Sequence, residues 1–454
     1  MPSLRRMRFL VPVLGLSVVL ALSGCDGGSK PSSSPSSTPF ASTACGTLSG
    51  RGCAPASERV DLTRPSFSDS TRITNPLFPI SNLRSAVLLG HVDGKPFRTE
   101  TTLLPGTRTV NWNGEQVPVL ISQYMAYLDG RLEEVALDRY AQADDGSVWY
   151  FGEDVFDYRN GMITFTEGTW LAGREGPPAM IMPGEPKVGD VYRTENAPGI
   201  VFEEVTVTTT GKTVAGPRGP VEGAIVASEL HTDRTTENKI FAPGYGEFRT
   251  AGGGDLEALA MAVPTDALSG PMPAELASMS ESAEGLLESA RLGDWESASS
   301  TLARMNTAWE TLRAGNLPPM VAARLDDNLA ALTHSVRARK SAQAAQKALD
   351  VAQSVLDLEL RYRPPTEIDA ARFHLWTQQL RVHAAAKDLA GVTGDIAVLE
   401  WIRDRFAGSL QPATRSEINS RLRQLRSATD SRNLPAAADH AARLGARLRA
   451  LTDG

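Results

Sequence analysis

Cysteine and histidine are scarce in this chain, with three Cys and six His in 454 residues. His91, His231, His334, His374, His383 and His440 are scattered, and none belongs to an H-E-x-x-H or related metal-binding spacing. A G-x-S-x-G elbow, a Walker loop and a dinucleotide fingerprint are absent as well. Hydrolytic, nucleotide-dependent and zinc-hydrolase chemistry therefore has no residues to carry it, and neither an enzymatic activity nor a cofactor is expected. A basic excess is also missing: the formal charge is −7, which gives no electrostatic purchase on nucleic acid. After the first two dozen residues no apolar run is long enough to span a bilayer.

What the chain does have begins at its N-terminus. Arg5, Arg6 and Arg8 precede an apolar run from Phe9 to Leu22, too short for roughly 30 Å of hydrocarbon and suited to a signal peptide. Leu22-Ser23-Gly24-Cys25 closes it with small residues before a cysteine. Residues 1–24 thus read as a lipoprotein signal, and Cys25 as the first mature residue, whose thiol takes the lipid. Arg5-Arg6 leaves general and twin-arginine export both open. Asp26 resembles an inner-membrane retention signal of enteric-type cells. Multiple acyl chains on one cysteine anchor firmly, at about 0.8 kcal/mol per buried CH₂. The expected location is the cell membrane, facing the periplasm or the cell exterior.

Residues 25–57 read as the lipidated cysteine, a Ser/Pro-rich tether and a small disulfide loop. The stretch 26–44 cannot bury a core, and about 20 such residues reach roughly 25 Å. Cys45 and Cys53, seven residues apart in between, are expected to pair in an oxidising compartment. Loss of three arginines with the signal takes the formal charge from −7 to −10. Residues 271–454 hold 23 basic and 22 acidic side chains, so the acidity lies in the segment before them.

Residues 58–265 are rich in Val, Thr, Tyr and Phe and are punctuated by Asp93-Gly94, Asn113-Gly114, Asp129-Gly130, Asp145-Gly146 and Asn160-Gly161. Such pairs tolerate the positive φ of type I′ turns and encode successive hairpins. The expectation is an antiparallel β meander, as a curved sheet or open barrel, with a two-sheet sandwich as the alternative. Residues 271–454 switch to Ala, Leu, Arg and Glu at period 3.6. The fold class is therefore α+β, with an all-α domain of helical hairpins last. A repeat of about 92 residues aligns Pro273-Ala274-Glu275-Leu276 with Pro365-Thr366-Glu367-Ile368, and Trp309 with Trp401. Subdivision at roughly 46 residues gives four hairpins, with Asp294, Asp388 and Asn433 as candidate caps. Two four-helix bundles are expected, or a short solenoid.

Asp369, Arg372 and Trp376 share one helix face, and Asp395, Glu400 and Asp404 could meet the same bundle interior. Carboxylates with His374 or His383 could hold a metal, although the Glu-x-x-His pair of ferritin-like bundles is absent; an Asp–Arg network with Trp376 and Trp401 in the core is the structural reading. In the β segment, Trp149 and Tyr150 put aromatics on both faces of one strand and border either a core or an apolar cavity. Asp144, Asp145, Asp154 and Asp157 match no calcium loop. Gly252-Gly253-Gly254-Asp255 reads as a linker, and the basic last hairpin as a solvated face.

Tyr140-Ala141-Gln142, Trp149-Tyr150-Phe151-Gly152-Glu153-Asp154, Thr166-Glu167-Gly168-Thr169-Trp170, Val188-Gly189-Asp190-Val191-Tyr192-Arg193 and Phe241-Ala242-Pro243-Gly244-Tyr245-Gly246 resemble a family of uncharacterised exported bacterial β-rich lipoproteins. Arg361 to Trp376, with Leu399-Glu400-Trp401-Ile402-Arg403-Asp404, is similar to a helical module of such lipoproteins. The resemblance implies no activity. The sequence thus points to a lipid-anchored envelope protein that binds or scaffolds an unidentified envelope protein. Its alternatives are a carrier of a lipid or other apolar ligand in the β domain, and a metal handler using the helical carboxylates.

Overall fold

The computed structural model describes residues 53–452. The signal peptide, Cys25, most of the tether and Cys45 lie outside the described residues. Cys53, at their edge, is disulfide-bonded.

The described residues hold fourteen strands: β1 (Ser85–Val92), β2 (Lys95–Trp112), β3 (Glu115–Leu128), β4 (Arg131–Gln142), β5 (Val148–Arg159), β6 (Met162–Phe165), β7 (Trp170–Leu171), β8 (Ala179–Met182), β9 (Val191–Ala197), β10 (Val201–Gly216), β11 (Gly219–His231), β12 (Thr236–Ala242), β13 (Gly246–Gly252) and β14 (Asp255–Val263). They form one sheet in the order β6-β5-β4-β3-β2-β1-β14-β13-β12-β11-β10-β9, with β7 and β8 added on β5. Two meanders, β1 to β6 and β9 to β14, are joined where β1 pairs antiparallel with β14. Four of the five X-Gly turns carry positive φ at both residues, as at Asn113 (53°) and Gly114 (82°). At Asp145-Gly146 only the glycine does, and Ser147 instead donates its N–H to Asp145 Oδ1 at 2.9 Å. The sheet is open but rolled: Trp170 Nε1 on β7 donates to Glu195 Oε1 on β9 at 3.2 Å, across the two ends of the strand order.

Eight helices follow: α1 (Ala274–Leu292), α2 (Trp295–Leu312), α3 (Pro319–Arg337), α4 (Ser341–Glu359), α5 (Pro365–Ala385), α6 (Leu389–Phe406), α7 (Pro412–Asp430) and α8 (Leu434–Thr452). Pro319, Pro365 and Pro412 open α3, α5 and α7, where a missing N–H costs nothing. Asp294 and Asp388 accept from the N–H groups of Ser297 and Gly391, and Asn433 from that of Ala436. The residue that turns each hairpin is left-handed: Gly293, Arg339, Lys387 and Arg432 have φ of 72°, 53°, 59° and 55°. That recurrence is the physical form of the 46-residue period. α1 packs on α2 and α4, and α5 on α6 and α8, while α4 meets α5, so the helices close in two fours.

Both fours sit on the outer face of the rolled sheet. Val87, Leu89 and Met261 of β1 and β14 share a core with α1 to α4. Met125, Tyr127, Val135 and Tyr158 of β3 to β5 share one with α5 to α8. Strand alternation sends the intervening residues to the inner face. There Tyr140 and Tyr150 stack with centroids 4.9 Å apart, and Phe78 and Trp170 meet them edge-on at 4.9 and 5.5 Å.

Candidate functional site

The seam between β2–β4 and α3–α6 gathers most of the polar constellation of the helical sequence. Its base is a six-membered ion network, buried but for the partly exposed Arg98. Arg98 on β2 donates to both oxygens of Asp357 on α4, at 2.6 and 2.8 Å, and to Glu100 at 2.8 Å. Arg372 on α5 donates to Asp357 at 2.8 Å. Arg405 on α6 donates to Glu100 at 2.6 Å, to Asp369 at 3.2 Å and to Gln123 of β3 at 2.6 Å. Three guanidinium groups meet three carboxylates, so the cluster is neutral as a set. Burial would raise the pKa of Glu100, but Arg372, Arg98 and Arg405 overcome it and hold the carboxyl far below its ordinary range.

A cavity of about 470 Å³ opens beside this base. Trp376 walls one side, stacked on Tyr127 with ring centroids 5.5 Å apart. Amides also line it: Gln346 and Gln379 hydrogen-bond each other at 2.8 and 2.9 Å, and Asn328 donates to Ser354 Oγ at 3.0 Å. Arg324 on α3 also lines the cavity and is half-buried. It makes no hydrogen bond or ion pair among the described residues, and burial followed by repulsion from Arg98 lowers its pKa. An arginine in that state is prepared for an anionic oxygen, and flat amides beside an indole suit hydroxyl groups.

His383 also lines the cavity: its Nδ1 lies 2.7 Å from Asp395 Oδ2, and its Nε2 lies 3.1 Å from the Gln379 side-chain nitrogen. Asp395 is buried, which lifts its carboxyl to about 6 despite the bond to His383. Burial disfavours the His383 imidazolium, but Asp395 holds it and the pKa is shifted upward. Asp388 lies nearby, paired with Arg131 at 2.5 Å.

The sequence-selected residues are thus split. Asp369 and Arg372 belong to the ion network and Trp376 to the cavity wall, while Asp395 lines a neighbouring pocket and reaches the cavity only through His383. Glu400 is elsewhere, in a pair with Arg426 at 2.5 Å, and Asp404 pairs with Arg403. Trp149 and Tyr150 are core residues: Trp149 Nε1 donates to Ser147 Oγ and Tyr150 Oη to Asp138 Oδ1, both at 2.7 Å. Trp401, also chosen from sequence, is half-buried and donates to Tyr158 Oη at 2.8 Å. Arg98, Glu100, Asp357, Arg405 and Arg324 escaped selection. Arg405 left a signal, since it follows Val398 and Ile402 on the apolar stripe of α6, where an arginine needs a buried partner. The chain matches no known family model and no curated protein.

Two outcomes follow. Arg405→Met leaves Glu100 and Asp369 short of a cation, and urea denaturation is expected to show a loss of about 3–5 kcal/mol; pairing it with Glu100→Gln recovers part of that loss. The His383–Asp395 pair sets a pH window. A histidine with a raised folded pKa contributes fully below about 6.5 and loses the contribution as pH climbs through the raised value. Asp395, raised to about 6, acts in a lower window: its contribution is lost as pH climbs from about 3.9 to about 6, so above that His383 sets the slope. Wild-type stability, read by urea midpoint, should fall from pH 6 to pH 9 more steeply than that of Asp395→Asn; parallel slopes would refute the pairing.

Proposed function

We propose that the protein is a non-enzymatic binding protein of the bacterial cell envelope, lipid-anchored through Cys25. Its seam cavity takes a hydroxyl-rich ligand with one anionic group, the chemistry of an acidic saccharide. The observation that carries this reading is Arg324, a half-buried guanidinium that lines the cavity and makes no hydrogen bond or ion pair among the described residues, with Asp357, Asp327 and Asp350 attracting it through Coulomb interaction alone. Trp376 and the amides of Gln346, Gln379 and Asn328 support it, because sugars combine an apolar ring face with a rim of hydroxyls. A tether reaching roughly 25 Å would set the cavity among envelope glycans, where a muramic acid residue freed of its peptide carries the required carboxylate. The resemblance to exported lipoproteins agrees with the location and adds no activity.

The two alternative ligands have less support. An apolar ligand would use the aromatic inner face, but Tyr140, Tyr150 and Trp170 already pack ring on ring. A metal on the helical carboxylates would need them unpaired and together, whereas Asp369, Asp395 and Glu400 have separate basic partners.

Isothermal calorimetry on the detergent-extracted lipoprotein should detect the disaccharide of N-acetylglucosamine and N-acetylmuramic acid. Neutral chitobiose should bind at least tenfold more weakly. Arg324→Gln should lower affinity for the acidic disaccharide at least tenfold and leave chitobiose unchanged, and Cys25→Ser should abolish detergent-phase partitioning. No binding, or equal binding of both sugars, would refute the ligand reading.

A further inference from the structure

On the inner face of the sheet, away from the seam, β10, β11 and β12 bring four metal-capable side chains together. Glu203 pairs in register with His231, and Glu229 with Glu237. Glu229 and His231 are two apart on β11 and therefore share a face. One donor atom from each of Glu203, Glu229 and His231 lies within 4.8 Å of the other two. The imidazole is central: Nδ1 is 3.3 Å from Glu203 Oε1, and Nε2 is 3.5 Å from Glu237 Oε2 and 3.9 Å from Glu229 Oε2.

Two observations separate this cluster from an ordinary ion pair. Glu237 is 1% exposed, yet neither of its carboxylate oxygens accepts a hydrogen bond, and the facing His231 Nε2 also makes none. An ionised carboxylate buried without donors costs several kcal/mol. The cluster is also short of positive charge. Lys239 Nζ is 2.8 Å from Glu229, and the protonated His231 ring adds a second positive charge, so three carboxylates against two cations leave one negative charge; displacement of the ring proton leaves two, which a divalent ion cancels. On the other side of Lys239, Glu247 lies 3.9 Å away and adds further negative potential.

We propose that Glu203, Glu229 and His231, with Glu237 beside them, bind one divalent transition-metal ion on the inner face of the sheet. Imidazole with carboxylate oxygens suits zinc, manganese, iron(II) or cobalt. Lys239 fixes the Glu229 carboxylate from behind, in the manner of outer-shell partners at metal sites. Without the ion, burial disfavours the imidazolium, but Glu203 and Glu237 hold its pKa up to about 10; proton and metal thus compete for one ring. These side chains are not those of the seam, so this site stands whether or not a saccharide binds there.

The test is equilibrium dialysis of the detergent-extracted lipoprotein against Co²⁺ alone, with visible spectra of the bound ion. One Co²⁺ per chain is expected, weakened at least tenfold in His231→Gln and in Glu203→Gln and unchanged in Arg324→Gln. Should either variant fail to fold by circular dichroism, X-ray absorption of Zn²⁺-loaded wild type decides the matter: one imidazole nitrogen with oxygen neighbours supports the site. Absence of stoichiometric binding, binding undiminished in folded His231→Gln, or an all-oxygen shell would overturn it.

Discussion

The network of Arg98, Arg372 and Arg405 with Glu100, Asp357 and Asp369 is the constraint on which the arrangement of this molecule depends. It draws its members from β2, α4, α5 and α6, and so fixes both helical fours against one face of the sheet. Apolar contact alone would allow the helices to slide, because Leu and Val packing is non-directional. Six charges do not allow it: each guanidinium must meet its carboxylates, or several kcal/mol is lost. Such a network is weak as net stabilisation and strong as a register device, and at this seam register determines the geometry of the cavity.

Much of the architecture was legible. Four of the five Asn-Gly and Asp-Gly pairs marked hairpin turns because positive φ at two successive residues is open to few other sequences. The helical half was equally readable from its period, its capping residues Asp294, Asp388 and Asn433, and its shift to Ala, Leu and Arg. Curvature was legible as a choice between a rolled sheet and a sandwich, and the pairing of β1 with β14 selects the single rolled sheet.

The site was legible only in part, for a physical reason. Asp369, Arg372 and Trp376 announced themselves through helical spacing, since partners on one face lie close in sequence. Arg98 and Asp357 are 259 residues apart, and Arg405 and Glu100 are 305 apart; no local pattern couples them. Arg324 carried no mark at all, because an arginine on a helix is ordinarily solvated. The inner-face cluster hid behind strand alternation, which spaces Glu229 and His231 two apart and lets hydrogen-bonded register bring Glu203 and Glu237 beside them from the neighbouring strands.

The seam built on this network is the proposed seat of the ligand. Hydrogen–deuterium exchange of the intact lipoprotein, with and without the acidic disaccharide, tests it most directly. Slowed exchange confined to β2–β4 near residues 96–131 and to α3, α4 and α5 is the predicted result. Protection elsewhere, or unchanged exchange at saturating disaccharide, would contradict it.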